Sequence, residues 1–184
     1  MRLFTAIDLP EPLLNTIAHL IERLRPKARI KWSPRENLHI TTKFIGEWPE
    51  ERLEELQEAL AAVPTAGPMR IAIRKVGFFP NPHAPRVFWA GIDAPPELAA
   101  LADATDRALQ RLGVEPERRA FSPHLTLARI KEPVPMQPLR EAVAALPSLE
   151  FGEFTADTFH LYRSHLSPAG SVYVKMAEFP LARP

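Results

Sequence analysis

The chain has no cysteine. That excludes disulfides, thiolate metal sites and cysteine nucleophiles, and it suits a reducing interior. Glycine is scarce, seven residues in 184, and no glycine-rich loop of the kind that cradles ATP phosphates is present. No apolar run approaches the length that spans a bilayer, and the start, MRLFTAIDLPEP, lacks a basic segment followed by a long apolar one. A cytoplasmic protein with no membrane partner is therefore expected. The net charge is only +1, which speaks against a general electrostatic grip on nucleic acid, so any polyanion must be held locally.

What the chain does have is a composition 46% hydrophobic, enough for a proper core, and 21 prolines. Proline-rich loops restrict the unfolded chain and, together with the missing cysteine, fit a heat-adapted protein.

Two stretches repeat one pattern. NLHITTKFIGE, residues 37–47, and SPHLTLARI, residues 122–130, both carry His-x-Thr. In an extended strand successive side chains point to opposite faces. His39, Thr41 and Lys43 would then share one face, with Leu38, Ile40 and Phe44 on the other. His124 and Thr126 likewise oppose Leu125 and Leu127, and the same parity turns Arg129 away from His124. One His-x-Thr is close to noise in a chain with six histidines. Two copies with the same apolar back are not.

In chain order, 2–8 reads as a strand and 12–24 as an amphipathic helix, with Leu13, Leu14, Ile17, Leu20, Ile21 and Leu24 at helical spacing. Residues 30–32 form a short extended piece before the His39 strand, and 49–62 a helix. A hairpin joins strands 69–79 and 86–92 across PNPHAP. Residues 95–112 form a helix that stops at Gly113, and the His124 strand follows. The chain closes with a helix at 135–146 and two strands near 155–166 and 171–179. This order predicts an α+β fold: two pseudo-symmetric lobes, each an antiparallel sheet with helices on its outer face, around a central cleft carrying the two His-x-Thr strands. No linker separates the lobes, so 1–184 reads as one domain.

Two opposed imidazoles can take one proton and give another near neutral pH. A hydroxyl two residues from each can hold an oxygen bound between them. Phosphodiester displacement needs that set: a base at the nucleophile, an acid at the leaving oxygen, and donors for the non-bridging oxygens. Lys43, Arg129 or a backbone N–H could assist Thr41 and Thr126. Metal chemistry ranks lower, because no H-x-H, H-x-x-x-H or Asp-rich cluster accompanies either motif. Ser122 sits in no nucleophile elbow. Phe121, beside the second motif, could stack on a base. Trp32 and Trp89 read as core, and His19, His83, His160 and His165 as ordinary.

The chain resembles the two-histidine phosphoesterase superfamily, and within it the RNA 2′,3′-cyclic phosphodiesterases, also known as 2′-5′ RNA ligases. RLFTAIDLPE, IKWSPRENLHITTKFIGE, VGFFPNPHAPRVFWAGI, FSPHLTLARI and LYRSHLSPAGSVY carry the likeness nearly end to end; Thr42 departs from it, where an apolar residue is usual. The resemblance implies hydrolysis of RNA 2′,3′-cyclic phosphate ends to 2′-phosphomonoesters, with His39 as proton donor, His124 as proton acceptor, and Thr41 and Thr126 on the phosphate. The labels exchange if the reaction runs in reverse. No cofactor and no metal are implied. The expected partner is RNA with a cyclic phosphate end, tRNA halves among the candidates, and the expected state a monomer. Arg163 and Tyr173 could line the cleft. A cyclic phosphodiesterase acting on small nucleotides and a non-catalytic RNA-end binding module are the alternatives.

Overall fold

The computed structural model describes residues 1–182. Among them are nine strands and four α-helices: β1 (Arg2–Asp8), α1 (Glu11–Leu24), β2 (Lys31–Trp32), β3 (His39–Glu47), α2 (Leu53–Ala61), β4 (Met69–Phe79), β5 (Val87–Asp93), α3 (Pro96–Gln110), β6 (His124–Arg129), α4 (Gln137–Ala144), β7 (Glu150–Ala156), β8 (Thr158–Ser167) and β9 (Gly170–Pro180). They build two antiparallel sheets, one in the order β3-β1-β8-β9 and one in the order β2-β6-β5-β4-β7. The two-lobed α+β architecture is the expected one.

Three of these four helices carry a proline in the first turn, where it fixes φ and no backbone N–H donor is needed: Pro12 in α1, Pro96 in α3 and Pro138 in α4. Just past the end of α3, Gly113 takes φ +93°, and the Val114 N–H bonds back to the Leu109 carbonyl at 3.1 Å, closing the turn.

The two lobes exchange helices. α1 follows β1 of the four-stranded sheet yet packs on β7 of the other; α3 follows β5 of the five-stranded sheet yet packs on β3. Leu13 of α1 sits so close over β7 that a Cβ at Gly152 would lie 2.9 Å from its Cδ1. One apolar cluster, with Leu3, Ile7, Ile17, Ile71, Phe88 and Leu125 among its members, therefore runs through both lobes. Helices cover the core faces of the sheets. The opposite faces, which carry the histidines, stay free of helices, and the two sheets adjoin along β3 and β6.

One strand escaped sequence reading. β7, EFGEFTA, is separate from β8, and Gly152 within it adopts φ +142°, so neither alternation nor composition marks it.

Candidate active site

The two motif strands share more than a sequence pattern, because each contains a β-bulge three residues after its histidine. In β3 the partners of Thr5 and Ala6 are Lys43 and Thr41, leaving Thr42 as the extra residue. In β6 the partners of Phe88 and Trp89 are Ala128 and Thr126, leaving Leu127. A bulge sends two neighbouring side chains to the same face and reverses parity beyond it. After each histidine the burial is the same: buried, half-buried threonine, buried, buried, exposed.

The bulges correct three parity readings. Lys43 does not share the face of His39. It points to the back, 98% of its side chain removed from solvent, where Nζ meets Asp106 Oδ1 of α3 at 2.8 Å and Glu117 Oε1 at 3.1 Å. Arg129 is not turned away from His124: it stands exposed one residue beyond the buried Leu127–Ala128 pair, back on the histidine face. Phe44 occupies the matching place in β3, 61% exposed, instead of joining the core. Thr42 packs behind the sheet as its position suggested, its hydroxyl 2.7 Å from that of Thr5.

The two histidines have unlike surroundings. His39 is buried among rings, with Tyr162 at 4.9 Å, Tyr173 at 5.1 Å and Phe4 at 5.4 Å between centroids, and its Nε2 has no hydrogen-bond partner among the described residues. Burial penalises the imidazolium and lowers the His39 pKa to about 4, against the pull of the Asp8 carboxylate. Asp8 is its cross-strand partner. That carboxylate accepts from Tyr162 Oη at 2.5 Å and pairs with Lys175 Nζ at 2.8 Å. Burial works to raise the Asp8 pKa, but the hydrogen bonds from Lys175 and Tyr162 outweigh it and hold it below the usual carboxylate range. Burial, then the bond to Asp8, raises the Tyr162 phenol far above its ordinary value.

His124 is exposed, and its cross-strand partner, Gly91, has no side chain to cover it. Its Nδ1 lies 3.1 Å from the Ser122 carbonyl. A carbonyl only accepts, so Nδ1 is the donor in this contact and Nε2 takes no part in it. Thr41 and Thr126 are half-buried on the same faces as their histidines. Ser33 Oγ donates to the Thr126 carbonyl at 2.9 Å and ties β6 to the segment after β2.

Of the other sequence candidates, Tyr173 reaches the site. Arg163 pairs with Leu3, which faces the core, so it stands on the opposite side of β8 from Tyr162. Phe121 is half-buried against the main apolar cluster. Asp8, Tyr162, His160 and Lys175 were missed; they come from three strands, and only the strand pairing unites them. His160 is buried, its Nε2 3.0 Å from Glu178 Oε1.

Each lobe thus carries one imidazole–hydroxyl pair on the same kind of bulged strand. The chain belongs to the 2′-5′ RNA ligase superfamily, whose family model matches residues 10–168. Over 179 residues it is 37% identical to the RNA 2′,3′-cyclic phosphodiesterase of Methanocaldococcus jannaschii, covering 97% of this chain and 100% of the relative. A crystal structure from Thermus thermophilus is similar with TM-score 0.82 and 34% identity over 98% of both chains. E. coli LigT complexed with 3′-AMP is similar with TM-score 0.81 and 26% identity, covering 99% of this chain and 98% of that one. Among the described residues no helix is long and apolar enough to cross a membrane, and no group of three or more His, Cys, Asp or Glu side chains could hold a metal ion.

Proposed function

We propose that this chain, acting as one bilobal domain and as a monomer, hydrolyses RNA 2′,3′-cyclic phosphate ends to 2′-phosphomonoesters by acid–base catalysis between His39 and His124. The observation that carries the reading is the pair of matched bulged strands. Each puts an imidazole and a hydroxyl on the sheet face opposite the core, which is the donor and acceptor set a phosphodiester displacement requires. Relatives that are RNA 2′,3′-cyclic phosphodiesterases support the same reading.

The proton inventory follows from the two environments. His124 Nε2 takes a proton from the attacking water as the new P–O bond forms. The P–O3′ bond breaks, and O3′ takes its proton from His39 Nε2. A neutral His39 cannot do this, so the bound phosphodiester anion must first raise its pKa and bring a proton in. The Thr41 and Thr126 hydroxyls donate to the non-bridging oxygens, and Arg129 adds a cation on the His124 side. Lys43, held by two carboxylates, takes no part, and Phe121 stays with the core. A 5′-hydroxyl in place of water gives a 2′-5′ linkage with the same two transfers, and the labels exchange for its cleavage. RNA ends left by endonucleolytic cleavage, such as those of tRNA halves, are the substrate class.

The test is incubation of an oligonucleotide ending in a 2′,3′-cyclic phosphate, in EDTA, with the product's phosphate position determined. A 2′-phosphate from the wild type, absent with His39→Ala and with His124→Ala, is the expected result. Turnover only after metal addition would overturn the mechanism, and binding without turnover under any condition would leave a binding module.

A further inference from the structure

The net charge of +1 hides an uneven distribution. Residues 23–35 hold six cations, Arg23, Arg25, Lys27, Arg29, Lys31 and Arg35, and no carboxylate, whereas residues 47–58 hold six glutamates and one arginine. Arg35 pairs with Glu11. The other five cations are exposed and have no carboxylate partner among the described residues. Unpaired like charges repel one another, and an anion from outside relieves that repulsion.

This basic stripe meets the cleft at β2, the edge strand of the five-stranded sheet. Trp32 turns its ring to the fully buried Phe88, so alternation puts Lys31 on the opposite face, the one that carries His124. There Lys31 is the direct cross-strand partner of Arg129. Two cations set opposite each other destabilise a sheet unless an anion joins them. Lys31 also reaches toward the other lobe: a Cβ at Gly170, where β9 begins, would lie 3.9 Å from its Nζ. Away from the cleft, Lys31, Arg29 and Arg25 line one hollow together with Ala28, Ile30 and Trp32. Arg25 stands in the turn that follows α1. The cations thus lead from Arg129 in the cleft, across the β2 edge, to the end of α1.

We propose that Arg25, Arg29 and Lys31 bind the phosphodiester backbone of the RNA on the 5′ side of its cyclic end, so that the strand leaves the cleft over the β2 edge. This rests on the proposed function and adds to it where the body of the substrate lies. Arg129 serves the terminal phosphate, and the three stripe cations take the phosphates upstream of it. Contacts of this kind are electrostatic and carry no sequence preference. They also account for how a chain of small net charge holds a polyanion, by a local grip. A cyclic mononucleotide has no upstream phosphates and gains nothing from the stripe.

The experiment measures kcat and KM of wild type and of the double variant Arg29→Ala/Lys31→Ala, across a salt series, on adenosine 2′,3′-cyclic monophosphate and on a single-stranded oligonucleotide ending in adenosine 2′,3′-cyclic phosphate. Three phosphate contacts on a single strand correspond to a slope of about 2 in log KM against log salt. The wild type is expected to show a KM at least about tenfold lower on the oligonucleotide than on the mononucleotide at low salt, with the gap closing as salt rises. The double variant loses most of that advantage, and its slope falls by about 1.4, roughly 0.7 for each cation removed. Its kcat and its KM on the mononucleotide stay close to wild type, which also shows that it is folded. Equal KM values for the two substrates in the wild type, a gap and slope that survive the double substitution, or an equal loss on both substrates overturns the path while leaving the phosphodiesterase reading intact. Failure of the wild type to turn over either substrate removes that reading and the path with it.

Discussion

The imidazole of His39 lies face to face with the ring of Tyr162, centroids 4.9 Å apart and planes 10° from parallel, while the Tyr162 hydroxyl is bonded to Asp8, the cross-strand partner of His39. One tyrosine thus stacks on the His39 ring and anchors the carboxylate beside it. Tyr162→Phe keeps the stack and loses a hydrogen bond to a charged group, a cost of roughly 1.5–3 kcal/mol in unfolding free energy, with kcat little affected. Tyr162→Leu loses both and lowers kcat as well. Denaturant unfolding alongside steady-state kinetics separates the two variants, and equal kcat losses would show that the ring plane does not matter.

Stability should fall with acid through His39. The folded-state pKa of about 4 lies below the ordinary value of 6.5. Below pH 6.5 the unfolded chain binds a proton that the folded chain resists, so stability decreases as pH falls from 6.5 to 4 and this contribution then levels off. The full drop is roughly 3 kcal/mol by the conversion of pKa shift to free energy. His39→Gln removes it. Unfolding curves at about pH 7, 5.5 and 4.5, spanning that window, check this, and parallel losses in wild type and variant would contradict it.

Anion binding should carry a proton in. Sulfate does not itself titrate in this range, and near pH 6.5, the ordinary His39 value, its binding is expected to draw close to one proton from the buffer as His39 becomes imidazolium. Calorimetry in two buffers of different ionisation enthalpy measures the uptake. Most of it should vanish in His39→Gln, and uptake that survives the substitution would place the proton elsewhere.

The bulges divide the work of two cations. Lys43 is buried against Asp106, whose pKa burial tends to raise and the Lys43 and Glu117 N–H contacts hold low. Lys43→Met leaves that carboxylate unpaired and should cost roughly 3–5 kcal/mol of stability, with KM unchanged in the protein that remains folded. Arg129→Ala should do the opposite, raising KM about tenfold and weakening its salt dependence, with little loss of stability. The opposite pair of outcomes would restore simple parity as the better guide.

That exchange shows what a sequence can and cannot convey. Alternation around His39 and His124 marked both strands, their apolar backs and the threonines, since those depend only on the pleat. It failed at Lys43, Phe44 and Arg129 because one extra residue in a ladder reverses every face beyond it, and neither Thr42 nor Leu127 announces a bulge. Asp8, Tyr162 and Lys175 carry no local pattern at all; three strands distant in sequence must pair before they meet. Trp89 looked like core because its neighbours are core, yet it is half-buried and pairs with Thr126 on the face that carries His124. The α1 and α3 periodicities were plain, but nothing in them says that each helix crosses to the other lobe's sheet.

The central claim is that His39 gives the proton to O3′ and His124 takes one from the nucleophile. A cyclic substrate with sulfur at the bridging 3′ position tests it most directly, because a thiolate leaves without a proton. Turnover by His39→Ala should recover at least about 100-fold relative to the oxygen substrate, within the roughly 10²–10⁴-fold range of general acid catalysis, while His124→Ala stays inactive on both. Recovery of His124→Ala instead, or of neither variant, would contradict the assignment.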